Sequence, residues 1–349
     1  MTNHKQPTTN LPNTNLPNNK IIIIGTGPAG IAAAIQLTRY GLKPVLLEKD
    51  QVGGLLWNAH LVENYPGFPN GIPGPKLVAL FKKQMRRRGV EVTYDEVVRL
   101  NYMSLRGALS VSEGRRSNLR DSEEMFNVET HRSYYHARFV IVASGTKPCL
   151  PEIEIAPQAR ERAFSEVVPL LNVSGKHIAI VGAGDAAFDY ALNLASRGNT
   201  VTILNRSHEA KCLPLLWERA QANLAITYHI QTAVQNVEAD ALTGRLRLSC
   251  ASTNHPLLPT GHWLLVTDYL LFAIGREPQL DFLSDKIRQI LNGEREENSN
   301  ISADSALSAV NNRLFFVGDV VNGPFRQAAI AAGDGLRAAM QIYAQIQEG

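Results

Sequence analysis

The sequence predicts an α/β protein of two similar three-layer domains, each a parallel sheet covered on its faces. Three observations carry this. Gly25-Thr26-Gly27-Pro28-Ala29-Gly30 stands between an apolar run and a helical stretch, and Gly182-Ala183-Gly184-Asp185-Ala186-Ala187 repeats that arrangement. The chain's 349 residues also exceed what one hydrophobic core usually fills.

The first unit opens with Ile21-Ile22-Ile23-Ile24, a short β-branched run suited to a strand buried on both faces. A helical stretch from Ile31 to Tyr40 ends before Gly41, and a second strand, Val45-Leu46-Leu47, carries Glu48 at its end. This is the Rossmann-like strand, turn, helix and strand. Gly25 permits the tight turn, Gly27 lets the backbone approach a pyrophosphate, and Gly30 lets helix and strand pack closely. The helix N-terminus offers N–H groups and a partial positive charge to phosphates, and Glu48 is placed to accept hydrogen bonds from a ribose.

The second unit has the same grammar: His177-Ile178-Ala179-Ile180-Val181, a GxGxxA turn, a helical stretch from Phe188 to Arg197, and a strand from Thr200 to Leu204. Gly182, Gly184, Asp185, Ala186 and Ala187 form the expected phosphate-binding turn. Where the first unit has Glu48 this one has Asn205, then Arg206, with Lys211 a little beyond. A carboxylate there would repel a 2′-phosphate, whereas a guanidinium grips it, so NADPH is expected ahead of NADH. A solvated charge at a strand end is the plainer alternative for Arg206.

Composition narrows the rest. A net charge of +3 is too small for a nucleic-acid-binding field, although it suits an acidic protein partner. Cys149, Cys212 and Cys250 are far apart and form no CxxC or zinc pattern, so a reducing cytoplasm and no metal are expected. No apolar run approaches the roughly 20 residues that cross a bilayer. Residues 1–19, rich in Asn, Pro and Thr, read as a floppy tail without a signal peptide's apolar stretch. The polar stretch from about Leu105 to Arg132 reads as a hairpin or loop without chemistry.

Further motifs stand in order. Gly53-Gly54-Leu55-Leu56 precedes Val62-Glu63-Asn64-Tyr65-Pro66-Gly67; Val140-Ile141-Val142-Ala143-Ser144-Gly145-Thr146 and Ile274-Gly275-Arg276-Glu277-Pro278 follow; Phe316-Val317-Gly318-Asp319 comes before Arg326-Gln327-Ala328. From about Lys20 onward the chain resembles the two-domain flavoprotein family of bacterial thioredoxin reductases. The resemblance implies an FAD domain from residues 20–149 and 281–349, with an NAD(P)H domain, residues 150–280, inserted into it, and a homodimer. It implies FAD contacts at Gly25, Gly27, Pro28, Ala29, Gly30, Glu48, Lys49, Gly53, Gly54, Leu55, Asn64, Gly145, Gly318, Asp319, Arg326, Gln327 and Ala328. Asp319 is expected on the ribityl chain and the Arg326-Gln327-Ala328 backbone at the pyrimidine end. Ile274 and Gly275 join the NAD(P)H set.

One departure matters. That family carries a redox-active CxxC and an Asp shortly before the second glycine turn, where this chain has Ser165-Glu166-Val167-Val168-Pro169. Without a thiolate the usual relay to a protein disulfide is missing. Hydride transfer from nicotinamide to flavin needs only two oriented rings and survives. Electrons are then expected to leave to a redox protein of the ferredoxin or flavodoxin kind, a small acceptor, or dioxygen. A flavin oxidase acting on a small metabolite and a non-catalytic flavoprotein sensor are the other two readings.

Two features bear on that exit. A helix is expected from Gly74-Pro75, with Leu77, Leu80 and Phe81 on one face, ending in Lys82-Lys83-Gln84-Met85-Arg86-Arg87-Arg88. Its cations suit an acidic redox partner or, more simply, the helix dipole. Trp57 is a candidate to stack on the flavin and His60 to supply it a proton, with core packing and solvent exposure as their alternatives.

Overall fold

The computed structural model describes residues 20–104, 124–252, 261–297, 308–309 and 312–348. The expected N-terminal tail and most of the polar stretch from Leu105 lie outside them. No helix among the described residues is long and apolar enough to cross a membrane.

Contacts divide the chain into two compact units, the first from the described parts of Met1–Val52, Lys82–Ser144 and Leu280–Gly349. Its central sheet runs in the order Ser308–Ala309, Leu314–Phe316, Phe139–Val142, Ile21–Ile24, Val45–Glu48, Thr93–Tyr94, parallel except for the short first strand. All four residues of Ile21–Ile24 are buried, as a strand covered on both faces requires. Ile22 and Ile24 face a core shared with Leu100, Phe126 and Val128 of an antiparallel three-stranded sheet. Across another layer, the helices Pro28–Arg39 and Ala328–Glu348 lie so close that a Cβ on Gly335 would fall 2.0 Å from the Ala29 carbonyl oxygen.

The second unit comprises Gly53–Phe81 and Gly145–Gln279. Its parallel sheet has the order Ala163–Phe164, Tyr269–Phe272, His177–Val181, Thr200–Leu204, Ile226–His229. The helices Asp185–Ala195 and Pro214–Gln221 pack on one face through Phe188, Leu194 and Ala220. The other face is covered by an antiparallel sheet through Val237, Leu248 and Cys250. Thr146–Pro148 and Arg276–Pro278 pair antiparallel, joining the two ends of Gly145–Gln279.

This division by contacts places residues 53–81 with the second unit, whereas the expected boundaries put them with the first. Long-range polar bonds described below tie part of this stretch, residues 58–63, to the second unit. The helix Gly74–Arg87 forms where expected, burying Leu77, Val78 and Met85, but Leu80 points outward at 44% exposure. Its partner on the expected face, Phe81, meets Tyr65 edge-on instead.

Candidate functional site: two glycine turns

In the first unit, Gly25 has φ +100° and donates its N–H to the Leu47 carbonyl at 2.8 Å. A Cβ on it would lie 2.4 Å from the Ala143 carbonyl oxygen, and one on Gly30 would lie 2.0 Å from that of Gly25. These two glycines are therefore demanded by packing. Gly27 is different: a Cβ there meets nothing within 4 Å, so the face above the turn is open. The helix starts with Pro28 in its first positions, and neither a side-chain cap nor an acidic residue covers its first turn. Uncapped N–H groups beside open space fit a diphosphate.

Glu48 holds this turn in shape. Its Oε2 accepts the Thr26 N–H at 2.9 Å and the Thr26 hydroxyl at 2.5 Å, and its Oε1 accepts the Asp50 N–H at 3.0 Å. Oε2 is filled by those two donors, whereas Oε1, with one, keeps lone-pair capacity for a ribose. Thr26 is fully buried, and the sequence reading missed it. Lys49 is exposed beside it. Gly318, at φ +76°, would place a Cβ 3.0 Å from Ala29, which brings the Gly318-Asp319 turn against the start of the first helix. Buried Asp334, also missed, accepts from the Gly318 N–H and the Asn322 amide. Arg326 bonds the Gly323 carbonyl, and Gln327 accepts the Ala331 N–H as Ala328 begins the last helix. Glu48, through Thr26, and the Gly318 turn thus stand beside one uncapped helix end.

The other expected FAD residues belong to the second unit. Gly53, at φ +122°, abuts Val78 and the Trp57 ring, Gly54 has φ +53°, Leu55 is half-buried and Asn64 is exposed. Gly145, at φ +67°, accepts the Gln279 N–H at 3.0 Å.

The second turn repeats the backbone of the first but not its surroundings: a Cβ on Gly184 would lie 3.8 Å from the Lys211 carbonyl oxygen, and Asp185 stands in the first turn of the helix. Gly182 has φ +125° and donates to the Leu204 carbonyl at 3.0 Å; a Cβ on it would fall 2.2 Å from the Ala273 carbonyl oxygen. Gly184 caps the helix without a side-chain bond, Ala186 is exposed and Ala187 is buried. Asp185 accepts the Leu213 N–H at 2.7 Å. Arg206 and Lys211 are both exposed, and the Lys211 N–H reaches the Ala183 carbonyl at 2.8 Å, so the loop from Asn205 folds back onto the turn. Asn205 is buried and builds that loop: its amide donates to the Glu209 carbonyl and the Tyr228 hydroxyl and accepts the Ser207 N–H. Ile274 is partly exposed, and Gly275, at φ +118°, lies beside Cys149.

A polar cluster adjoins this turn. Glu166 accepts from Arg276 Nη1 at 2.7 Å and from the Asn58 amide at 2.6 Å, while Arg276 also donates to the Thr146 hydroxyl and carbonyl. The His60 N–H donates to Asp189 at 2.8 Å, and Glu63 makes a two-fold pair with Arg219. These bonds fix residues 58–63 to the second unit.

His60 is partly buried, and that burial together with Arg197 and Arg219 lowers its pKa against an opposing hydrogen bond to Asn193, which favours the neutral imidazole. Trp57 is partly buried beside Gly53.

Burial pushes the Asp189 carboxyl up to about 6, against the His60 and Leu61 N–H groups that pull it down. The folded chain then holds a proton that the unfolded chain releases near 3.8. Stability from this group is full below that value and is lost as pH rises through about 6, about 3 kcal/mol in all and roughly 1 kcal/mol of it between pH 5 and pH 7. Thermal melts should show that loss in the native chain and not in Asp189→Asn. The same pH dependence in both proteins would refute the assignment.

The sequence model of the family described as "Pyridine nucleotide-disulphide oxidoreductase" matches residues 19–335. The thioredoxin reductase of Streptomyces coelicolor is similar, 30% identical over 327 residues that cover 92% of this chain and 91% of that protein. That of Schizosaccharomyces pombe is 30% identical over 343 residues, 95% of this chain and 98% of that one. Among solved structures, Lactococcus lactis thioredoxin reductase in its FR conformation aligns with a TM-score of 0.74 at 23% identity, covering 95% of this chain and 100% of that one, a likeness of fold.

Proposed function

This chain belongs to the pyridine nucleotide-disulphide oxidoreductase family, an FAD- and NADPH-using oxidoreductase, and from that premise we propose that it oxidises NADPH and passes the electrons onward without a disulfide relay. Bound FAD and NADPH supply the hydride chemistry. The protein supplies the sites: Gly25, Gly27 and the uncapped Pro28–Arg39 helix for one diphosphate, Gly182, Gly184 and the Asp185–Ala195 helix for the other. Arg206 and Lys211, exposed on the loop tied back to Ala183, would neutralise a 2′-phosphate.

The observation that carries the second half of the reading is Glu166. At the stretch where the family keeps its thiols, this carboxylate is engaged by Arg276 and Asn58. Two of the three cysteines are poorly suited to replace those thiols. Burial raises the Cys250 thiol to about 12, and burial with the Asp185 charge raises Cys212, which disfavours the thiolate in both.

The electrons then go to an acidic redox protein of the ferredoxin or flavodoxin kind, or to a small acceptor. A cationic helix favours the former: no Asp or Glu occurs between Asn64 and Val90, while Lys76, Lys83, Arg86, Arg87 and Arg88 are exposed there. We expect a homodimer working in a reducing cytoplasm.

The test is a variant with all three cysteines changed to Ser. It should keep NADPH-driven reduction of a ferredoxin, a flavodoxin or ferricyanide within about twofold of the native rate. A loss of more than about a hundredfold, with flavin still bound, would put a thiol back on the path.

A further inference from the structure

The order of strands in the second unit says where each half of a dinucleotide lies. Along the carboxyl edge of its sheet stand, in sequence across neighbouring strands, Ser165-Glu166 after Ala163–Phe164, Ala273 to Arg276 after Tyr269–Phe272, the Gly182 turn after His177–Val181, and Asn205-Arg206 after Thr200–Leu204. A diphosphate sits at the glycine turn, and the adenosine end lies over the strand that follows the first helix, here the side of Arg206. The nicotinamide therefore lies on the opposite side, over the next two strands, roughly 10 Å across at the usual strand spacing. Arg276, Glu166 and Asn58 occupy that place.

One atom in that group is unsatisfied. Asn58 is only 7% exposed, its Nδ2 donates to Glu166, and its Oδ1 is shielded from water without a hydrogen-bond donor among the described residues. The amide cannot be turned over to relieve this, because the Glu166 carboxylate accepts only and Arg276 Nη1 holds its other oxygen. An orphaned buried acceptor is costly, so a donor that arrives with a ligand is strongly favoured there. A nicotinamide carboxamide is a primary amide with two N–H donors.

We propose that Asn58 is a positioning residue for the nicotinamide ring: its Oδ1 accepts an N–H of the carboxamide, while Glu166, braced by Arg276 on Thr146, fixes the direction in which that oxygen points. This rests on reading the second glycine turn as the NADPH site. Because Oδ1 is enclosed, access for the ring requires a local rearrangement around Asn58 that leaves its bond to Glu166 in place.

The experiment measures equilibrium binding of NADP⁺ and of its 3-acetylpyridine analogue, in which a methyl group replaces the amide nitrogen, to the FAD-loaded protein by calorimetry. The native protein should prefer NADP⁺ by about tenfold. Asn58→Ala should bind both equally. Glu166→Gln, which lets the Asn58 amide turn over, should also lose most of the preference and decides the matter if Asn58→Ala does not fold. An undiminished preference in a folded variant, or none in the native protein, overturns the proposal. Failure of the native protein to bind either compound would instead remove the NADPH reading beneath it.

Discussion

Gly25→Ala is expected to give a protein that purifies without flavin colour and melts well below the native chain. The new methyl group would stand 2.4 Å from the Ala143 carbonyl oxygen, which belongs to backbone and cannot swing aside, and φ +100° is a conformation that Ala scarcely adopts. The strain alone is on the order of 3 kcal/mol. Relieving it means moving the turn away from the end of the Phe139–Val142 strand, and with it the Thr26 bonds to Glu48 and the uncapped end of the first helix. Gly27→Ala is the control, since its methyl group meets no protein atom within 4 Å. It should fold normally and weaken only FAD, because it fills the space kept for the diphosphate. Flavin absorbance per mole of protein and a thermal melt check both. Normal flavin content in Gly25→Ala would show that the turn is not where FAD binds.

The second large effect is expected at Arg206. Removing its guanidinium should reduce the preference for NADPH over NADH by roughly 10- to 100-fold, the worth of a lost charge-assisted bond to phosphate. NADH binding should barely change, because its ribose carries no phosphate. Lys211→Ala should act in the same direction but less, as a single ammonium lacks the two-pronged grip of Arg. Initial rates of flavin reduction with each nucleotide give the ratio. Equal losses for both nucleotides in Arg206→Ala would assign the residue to the fold.

What could be read from the sequence was local. Gly25, Gly30 and Gly182 follow from the steric demands of a turn a few residues long, and the structure gives each a backbone oxygen within 2.4 Å of the missing Cβ. Glu48 was found because a strand end next to a glycine turn is a known distance away. Its tie to Thr26 was not, since a Thr inside the turn has no distinguishing spacing. Asn205 has a part its position did not suggest: its buried amide builds the loop that carries Arg206. The Asn58, Glu166 and Arg276 cluster was out of reach. Its members are separated by more than a hundred residues, and no periodicity connects a loop residue to two strand ends. Asp334 was hidden likewise, being a helical acid whose partners, Gly318 and Asn322, are known only once the last helix packs.

The central claim is that one chain holds both dinucleotides and moves a hydride between them. It is tested most directly by adding NADPH without oxygen to the FAD-loaded protein and following the flavin absorption band. Stoichiometric bleaching within seconds, in the cysteine-free variant as in the native chain, is the predicted result. A band that stays unchanged with excess NADPH and with NADH would contradict it.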